Sequence, residues 1–274
     1  MTADPYRGYG LKPRRPAASG SFGQSPRKGH LMQLAGKRAL VTGAGRGIGR
    51  AIAVAYAKAG ADVAVLSRTT AEIDHAAEEI RQTGRRSVAL TCDVTDFQQV
   101  AAAIQQVGQQ LGGLEILVNN AGDGQERTNV GEDDPQRWVH VVEVNLIGTY
   151  YVSRAALPLL KQNGGTIINV SSGMAHQPRS GNSSYNTSKA AVWMFTRCLA
   201  SEVWQDKVTV NELIPGPVYT ELTQSLWAPD QPHPTIASEW IKRPHDVAPL
   251  ALFLASQSGP GPTAQSFSLA RRPL

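Results

Sequence analysis

The sequence predicts one α/β domain built on a doubly wound parallel sheet of about seven strands. Three observations carry this. From residue 37 onward, short apolar runs alternate with amphipathic stretches, the pattern of repeated βαβ units. A glycine-rich turn, Thr42-Gly43-Ala44-Gly45-Arg46-Gly47-Ile48-Gly49, separates the first apolar run from the first amphipathic stretch. A chain of 274 residues with 41% hydrophobic content can also bury the core that a sheet covered on both faces needs.

The elements follow in order. Strand one is expected at 38–42, where Ala39, Leu40 and Val41 precede the glycines, and helix one at 47–59, with apolar residues every three or four positions. Strand two is expected at 62–67 and helix two at 70–83, strand three at 87–92 and helix three at 96–111. Strand four takes 114–118, and a long helix covers 135–162. Strand five takes 165–171, the next helix 184–205, strand six 207–213, the last helix 245–255 and strand seven 265–269. Buried parallel strands read as continuous apolar runs, so short length and flanking turn residues mark them.

Two stretches break the rhythm. Between 216 and 243 stand Pro217, Pro229, Pro232 and Pro234, with Leu222, Leu226, Trp227, Ile236 and Trp240 as apolar anchors. This reads as a mobile substrate lid carrying short helices, in which Gln231 and His233 face solvent as readily as the site. Residues 1–33 are rich in Gly, Pro, Ser and Arg, and hold six basic side chains against the single acid Asp4. They bury too little apolar surface to offset their ordering entropy, so a disordered basic tail is expected ahead of a folded domain at 34–274. The tail carries the whole formal charge of +5, and the rest of the chain is electrically balanced. A nucleic-acid partner is therefore not expected. No apolar run approaches the ~20 residues of a membrane span. Cys92 and Cys198 belong to no CxxC pair, which suggests neither a disulfide framework nor a zinc site. With no secretory signal, a cytoplasmic protein is expected.

Chemistry gathers at the strand ends. Gly43, Gly45, Gly47 and Gly49 allow a tight turn and close approach of backbone to a pyrophosphate, and the helix opening at Ile48 adds unpaired N–H groups and a favourable dipole. This points to a Rossmann-type dinucleotide site. After strand two come Ser67 and Arg68, with no acid to hold a ribose 2′-hydroxyl. With Arg46 they form a group suited to a 2′-phosphate, so NADP(H) is favoured over NAD(H). At Asp93-Val94 the carboxylate either accepts from the adenine amino group or caps the next helix, and the pattern leaves both open. Tyr185 and Lys189 stand four positions apart on a predicted helix, which holds an ammonium beside a phenol and favours the phenolate. Ser171 and Ser172 lie just upstream on alternate faces of a strand, and alternation alone does not choose between them.

Together these residues resemble the short-chain dehydrogenase/reductase family, in its single-domain branch, from about Leu34 to about Leu254. The resemblance rests on Thr42-Gly-x-x-x-Gly-Ile-Gly49, Asn119-Asn120-Ala121-Gly122, Asn145, Ser172, Tyr185-x-x-x-Lys189 and Pro215-Gly216. It implies that Tyr185 exchanges the proton with the substrate oxygen. Lys189 would lower the phenol pKa and bond the nicotinamide ribose, and Ser172 would hold the carbonyl oxygen. Asn145 would hold a water leading from Lys189 to solvent. The resemblance places Asn119, Ala121 and Gly122 against the adenine ribose. It places Pro215, Gly216, Val218 and Thr220 along the nicotinamide.

The implied reaction is hydride transfer between a nicotinamide cofactor and a ketone or aldehyde, with no metal required. A catalytically silent NADP-binding sensor or scaffold is the alternative. The lid anchors suggest a small carbonyl or alcohol substrate with an apolar portion. The family's habit of pairing helices suggests a homodimer or homotetramer, with Val192, Phe195, Leu199 and Val203 as one candidate face. His176 and Asp123 are expected to be loop polar groups without a catalytic role. The resemblance fails near the C-terminus. Members commonly carry Thr-Gly before the last strand, where this chain has Thr263-Ala264.

Overall fold

The first half of the sheet comes from β1 (Arg38–Thr42), β2 (Asp62–Ser67), β3 (Ser87–Thr91) and β4 (Ile116–Asn119). These alternate with α1 (Gly47–Lys58), α2 (Thr70–Arg81) and α3 (Phe97–Leu111). The second half follows α4 (Pro135–Val142) and α5 (Gly148–Asn163), with β5 (Gly165–Val170), α6 (Ser183–Val203), β6 (Val208–Ile214), α7 (Ala248–Ala255) and a short last strand. This computed structural model describes residues 32–124, 128–257 and 261–274. Apart from Met32 and Gln33, the expected basic tail lies outside them.

The strand Ser266–Ser268, β9, closes the sheet, whose order is β3-β2-β1-β4-β5-β6-β9 with every pairing parallel. One apolar layer joins the sheet to α1, α2 and α7 through Ile52, Tyr56, Ile73, Ile80 and Leu254. The other joins it to α3, α5 and α6 through Val100, Ile104, Val152, Leu160 and Leu199. Among the described residues, no helix is long and apolar enough to cross a membrane.

Four expectations need correction. The helix expected over 135–162 is interrupted by a π-turn at Glu143–Ile147. The stretch 216–243 contains no helix. Its prolines remove N–H donors, and it folds as turns around a two-residue antiparallel ribbon, β7 (Gln231–Pro232) with β8 (Trp240–Ile241). Trp240 is 42% exposed there rather than a buried anchor. Finally, Leu199 and Val203 are buried in the layer beneath α6 with Phe195 packed against it, and Val192 is buried too, so that face is not open for pairing.

One row of the sheet departs from the apolar pattern. Asn119, Asn169, Glu212 and Ser266 are successive cross-strand neighbours on β4, β5, β6 and β9. Asn119 Nδ2 donates to Asn169 Oδ1 at 2.9 Å, and Asn169 Nδ2 donates to Thr196 Oγ1 at 2.9 Å. Ser266 Oγ donates to the fully buried Glu212 carboxylate, which also meets His176 Nε2 at 3.3 Å.

The C-terminal departure leaves a mark on the backbone. Thr263 Oγ1 accepts from Val210 N at 3.0 Å, and Ala264 N donates to Val210 O at 2.8 Å. Holding both bonds puts Ala264 at φ 59°, the left-handed region that is costly for a residue with a Cβ. Ala264→Gly is expected to stabilise the protein by about 1 kcal/mol, a melting rise of about 3 °C. Calorimetry showing no rise would mean that the bend is unstrained.

Candidate active site

Beyond the carboxyl ends of the strands, the N-terminus of α1 borders a cleft of about 300 Å³. Gly43, Gly45, Arg46, Gly47 and Ile48 line it, with Ser67 and Arg68 after β2 and Asp93 and Val94 after β3. Ala121 and Gly122 after β4, and Pro215 and Thr220 after β6, complete the set. Gly49 and Asn119 do not line it. Gly49 is needed for packing, since a Cβ there would stand 2.4 Å from the Gly43 carbonyl oxygen. Asn119 turns into the buried polar row, while its neighbour Asn120, from the same motif, faces the cleft. Asn120 Nδ2 donates to Thr42 O at 2.9 Å, and Thr42 Oγ1 accepts from Asn120 N and Ala121 N, both at 3.0 Å. That clamp locks β1 to β4 beneath the glycine turn.

The cleft fits an anionic dinucleotide. No side chain caps α1, and its own first turn holds no acid, so its first N–H groups stay available to a ligand. Arg46 and Arg68 stand at one rim, 59% and 61% exposed, with only loose partners. Arg46 Nη1 lies 3.5 Å from Glu72, and Arg68 Nη1 lies 4.0 Å from Asp93. Glu72 is an acid that the sequence reading missed, because it reaches back over Gly45 from the first turn of α2. Asp93 does not cap α3: Asp96 does, accepting from Gln98 N and Gln99 N. Asp93 Oδ1 closes a local turn with Thr95 instead.

Tyr185, Lys189 and Ser172 come together at the inner end of this cleft. Lys189 Nζ donates to Val170 O at 3.0 Å and lies 5.7 Å from the centre of the Tyr185 ring. The Ser172 hydroxyl lies near enough to the phenol to favour its ionised form, and accepts from Met174 N at 3.2 Å. The hydroxyl of Ser171 is buried without a partner. Gly124, at φ 128°, lets the loop after β4 cross the phenol ring, because a Cβ there would lie 2.5 Å from Tyr185 Cδ2. Asn145 sits in the π-turn, a distortion common at functional sites. Its side chain is committed: Oδ1 accepts from Asp123 N, and Nδ2 donates to Asp123 O and to Ser188 Oγ, at 2.8, 2.8 and 2.9 Å. The Asp123 carboxylate is itself tied to Arg137.

A second cavity of about 350 Å³ adjoins the first, and the two share Ser171, Tyr185, Pro215 and Thr220. Ser172 borders this second lobe, as do Gly216 and Val218, which do not line the first. Trp227 and Ile236 of the 216–243 stretch line it, and so does His233, which is 6% exposed rather than at the surface.

The family model described as "short chain dehydrogenase" matches residues 37–231. The chain belongs to the short-chain dehydrogenase family. It is 34% identical over 230 residues to the 7alpha-hydroxysteroid dehydrogenase of Escherichia coli (strain K12), covering 82% of this chain and 89% of that one. Among solved structures, it resembles a 3-ketoacyl-(acyl-carrier-protein) reductase from Brucella melitensis complexed with NADH. The TM-score is 0.78 at 32% identity, over 86% of this chain and 98% of that one. It also resembles a short chain dehydrogenase from Burkholderia cenocepacia J2315 in complex with NADP, with a TM-score of 0.79 at 30% identity, over 87% and 98%. A short-chain dehydrogenase is an oxidoreductase of CH–OH and C=O groups.

The electrostatics of this short-chain dehydrogenase depart from the expectation for the phenol. Burial pushes the Tyr185 pKa above its ordinary value, with the Ser172 hydrogen bond opposing. Desolvation of a phenolate outweighs an ammonium that faces the ring rather than the oxygen. Lys189 is itself pushed down to about 8 by burial, with Glu212 opposing. In the unliganded protein, the unfolded chain therefore holds the extra proton between that value and the ordinary 10.5. Stability from this group rises with pH across that window and is flat below it. Lys189→Met is expected to remove a rise on the order of 3 kcal/mol. Urea unfolding of both proteins from pH 7 to pH 10.5 checks this, and parallel curves would refute it.

Proposed function

We infer that this short-chain dehydrogenase reduces a ketone or aldehyde with NADP(H), Tyr185 acting as the general acid. The observation that carries the reading is the position of Tyr185: its phenol stands where the dinucleotide-shaped cleft and the second lobe adjoin. A nicotinamide nucleotide bound in the cleft supplies the hydride. The chain supplies the proton and the positions. Because burial keeps the Tyr185 phenol protonated at neutral pH, its Oη holds a proton ready for the oxygen of a carbonyl in the second lobe. Ser172 Oγ sits beside that phenol and offers the same oxygen a second hydrogen bond as charge develops. Lys189 anchors beneath the site through Val170 O, its ammonium available to a ribose hydroxyl. Asn145 fixes the Asp123 loop and α6 through Ser188, holding Tyr185 in register.

The NADP(H) preference rests on Arg46, Arg68 and Ser67 at one corner of the cleft. Both guanidiniums are more than half exposed and loosely paired, so they are free to turn to a 2′-phosphate. Self-association into a dimer or tetramer would use the outward side of α4–α6, where Val139, Tyr150 and Met194 are exposed. The test is oxidation of NADPH and NADH against a panel of ketones, with binding of both nucleotides to Arg68→Ala. The variant is expected to lose about tenfold in NADPH affinity and little in NADH affinity. Equal losses would reject the cofactor preference, and no turnover of any ketone would reject the reaction.

A further inference from the structure

Beyond Tyr185, the described residues lining the second lobe include two arginines, Arg179 and Arg272, and no carboxylate. Arg179 is exposed at the mouth, whereas the Arg272 side chain is only 24% exposed. Arg272 is held from two directions. Its Nε lies 3.5 Å from Glu239 Oε1, and the next residue, Pro273, accepts through its carbonyl from Gln177 Nε2 at 2.9 Å. A Cβ on Gly173 would stand 3.5 Å from Arg272 Nη2, so the guanidinium edge lies beside the residue that follows Ser172. Glu239 is 2% exposed, and neither of its oxygens accepts a hydrogen bond, so it positions Arg272 by charge. Outside the lining, Lys242 Nζ is buried near Gly216 without a hydrogen-bond partner among the described residues, and burial holds its pKa below the ordinary value, with Glu239 opposing. His233 offers no counter-charge to the arginines, and its own pKa is held below the ordinary value by burial, then by Arg179 and Arg272, with Glu239 opposing. Positive charge thus exceeds negative in a partly desolvated space, an arrangement that an anionic ligand group would stabilise.

We propose that the lobe takes a carbonyl substrate with an apolar body and a carboxylate, and that Arg272 is the residue that reads the carboxylate. A guanidinium held by its Nε presents its Nη edge, the geometry that pairs with two carboxylate oxygens. Met174, Val218, Trp227 and Ile236 enclose the apolar body. The proposal rests on the oxidoreductase reading of Tyr185 for the substrate's carbonyl, but the carboxylate is tested separately by binding. Calorimetric titration of 5-oxodecanoate and of its methyl ester, with and without bound nucleotide, measures the acid-to-ester preference. The wild-type protein is expected to bind the acid at least tenfold more tightly. In Arg272→Gln the preference is expected to fall to near one, and in Arg272→Lys to an intermediate value, which separates charge recognition from disrupted packing. Equal binding of acid and ester by the wild type, or binding of neither, overturns the proposal, as does an unchanged preference in Arg272→Gln. Acid preference without turnover by either nucleotide supports the carboxylate site while rejecting the proposed reaction.

Discussion

Tyr185→Phe is expected to lower kcat about 10³-fold, the usual worth of a positioned general acid. Nucleotide affinity is expected to change by no more than about twofold, because the lost hydroxyl faces the second lobe rather than the phosphates. The substitution is conservative in packing. The ring stays beneath Gly124 and beside Lys189, and Ser172 keeps the hydrogen bond it accepts from Met174 N. A fall in kcat therefore reports the missing proton rather than a collapsed site. Single-turnover reduction, followed by nucleotide absorbance alongside a binding titration, separates the two quantities. Turnover that survives intact would end the general-acid assignment. A matched loss of nucleotide affinity would point to a disturbed cleft instead.

The second large effect is structural. Gly49→Ala would place a methyl group 2.4 Å from the Gly43 carbonyl oxygen and 2.5 Å from Asn120 Nδ2. Neither neighbour is free to move, since that carbonyl directly follows β1 and accepts from the Asn120 amide, which is also bonded to Thr42 O. α1 must then back away from the sheet, taking the phosphate-facing N–H groups with it. A loss of about 3 kcal/mol is expected, with nucleotide affinity falling about 100-fold. Gly131→Ala is the matched control, because a Cβ there meets nothing within 4 Å. Denaturant unfolding and nucleotide titration of both variants check the contrast. A harmless Gly49→Ala would mean that the glycine turn does not set the height of the helix.

What the sequence made legible is what local chemistry decides. Apolar runs of strand length bounded by turns located the seven parallel strands, and the glycine turn located the dinucleotide cleft. The order of the motifs also brought Ser172, Tyr185 and Lys189 to one end of the sheet. What stayed hidden depends on direction or on distant packing. Asn119 and Asn120 are adjacent, and only the pleat decides that the first enters the core while the second faces the cleft. Glu72 reaches the nucleotide corner from the next helix, a contact that no spacing rule reports. The sequence alone also could not weigh desolvation against charge at Tyr185, and burial reverses the shift expected from Lys189. Arg272 lies in a segment where the family resemblance had already failed. Glu212 did leave a signal: it is an acid inside the otherwise strand-like run Val208–Ile214.

The row Asn119–Asn169–Glu212–Ser266 has a consequence for how the sheet assembles. Apolar strands tolerate sliding, because one aliphatic contact resembles the next. Here a slip of one residue between β5 and β6 would turn the Glu212 carboxylate towards the opposite, aliphatic layer, away from His176 and Ser266. Misaligned pairings thus strip a buried carboxylate of the partners that the native alignment gives it. The strand ends that carry Asn120, Ser172 and Pro215 inherit their relative heights from that alignment. The polar row acts as a ratchet pin for strand pairing, and through it the spacing of the reacting groups is set before any ligand arrives.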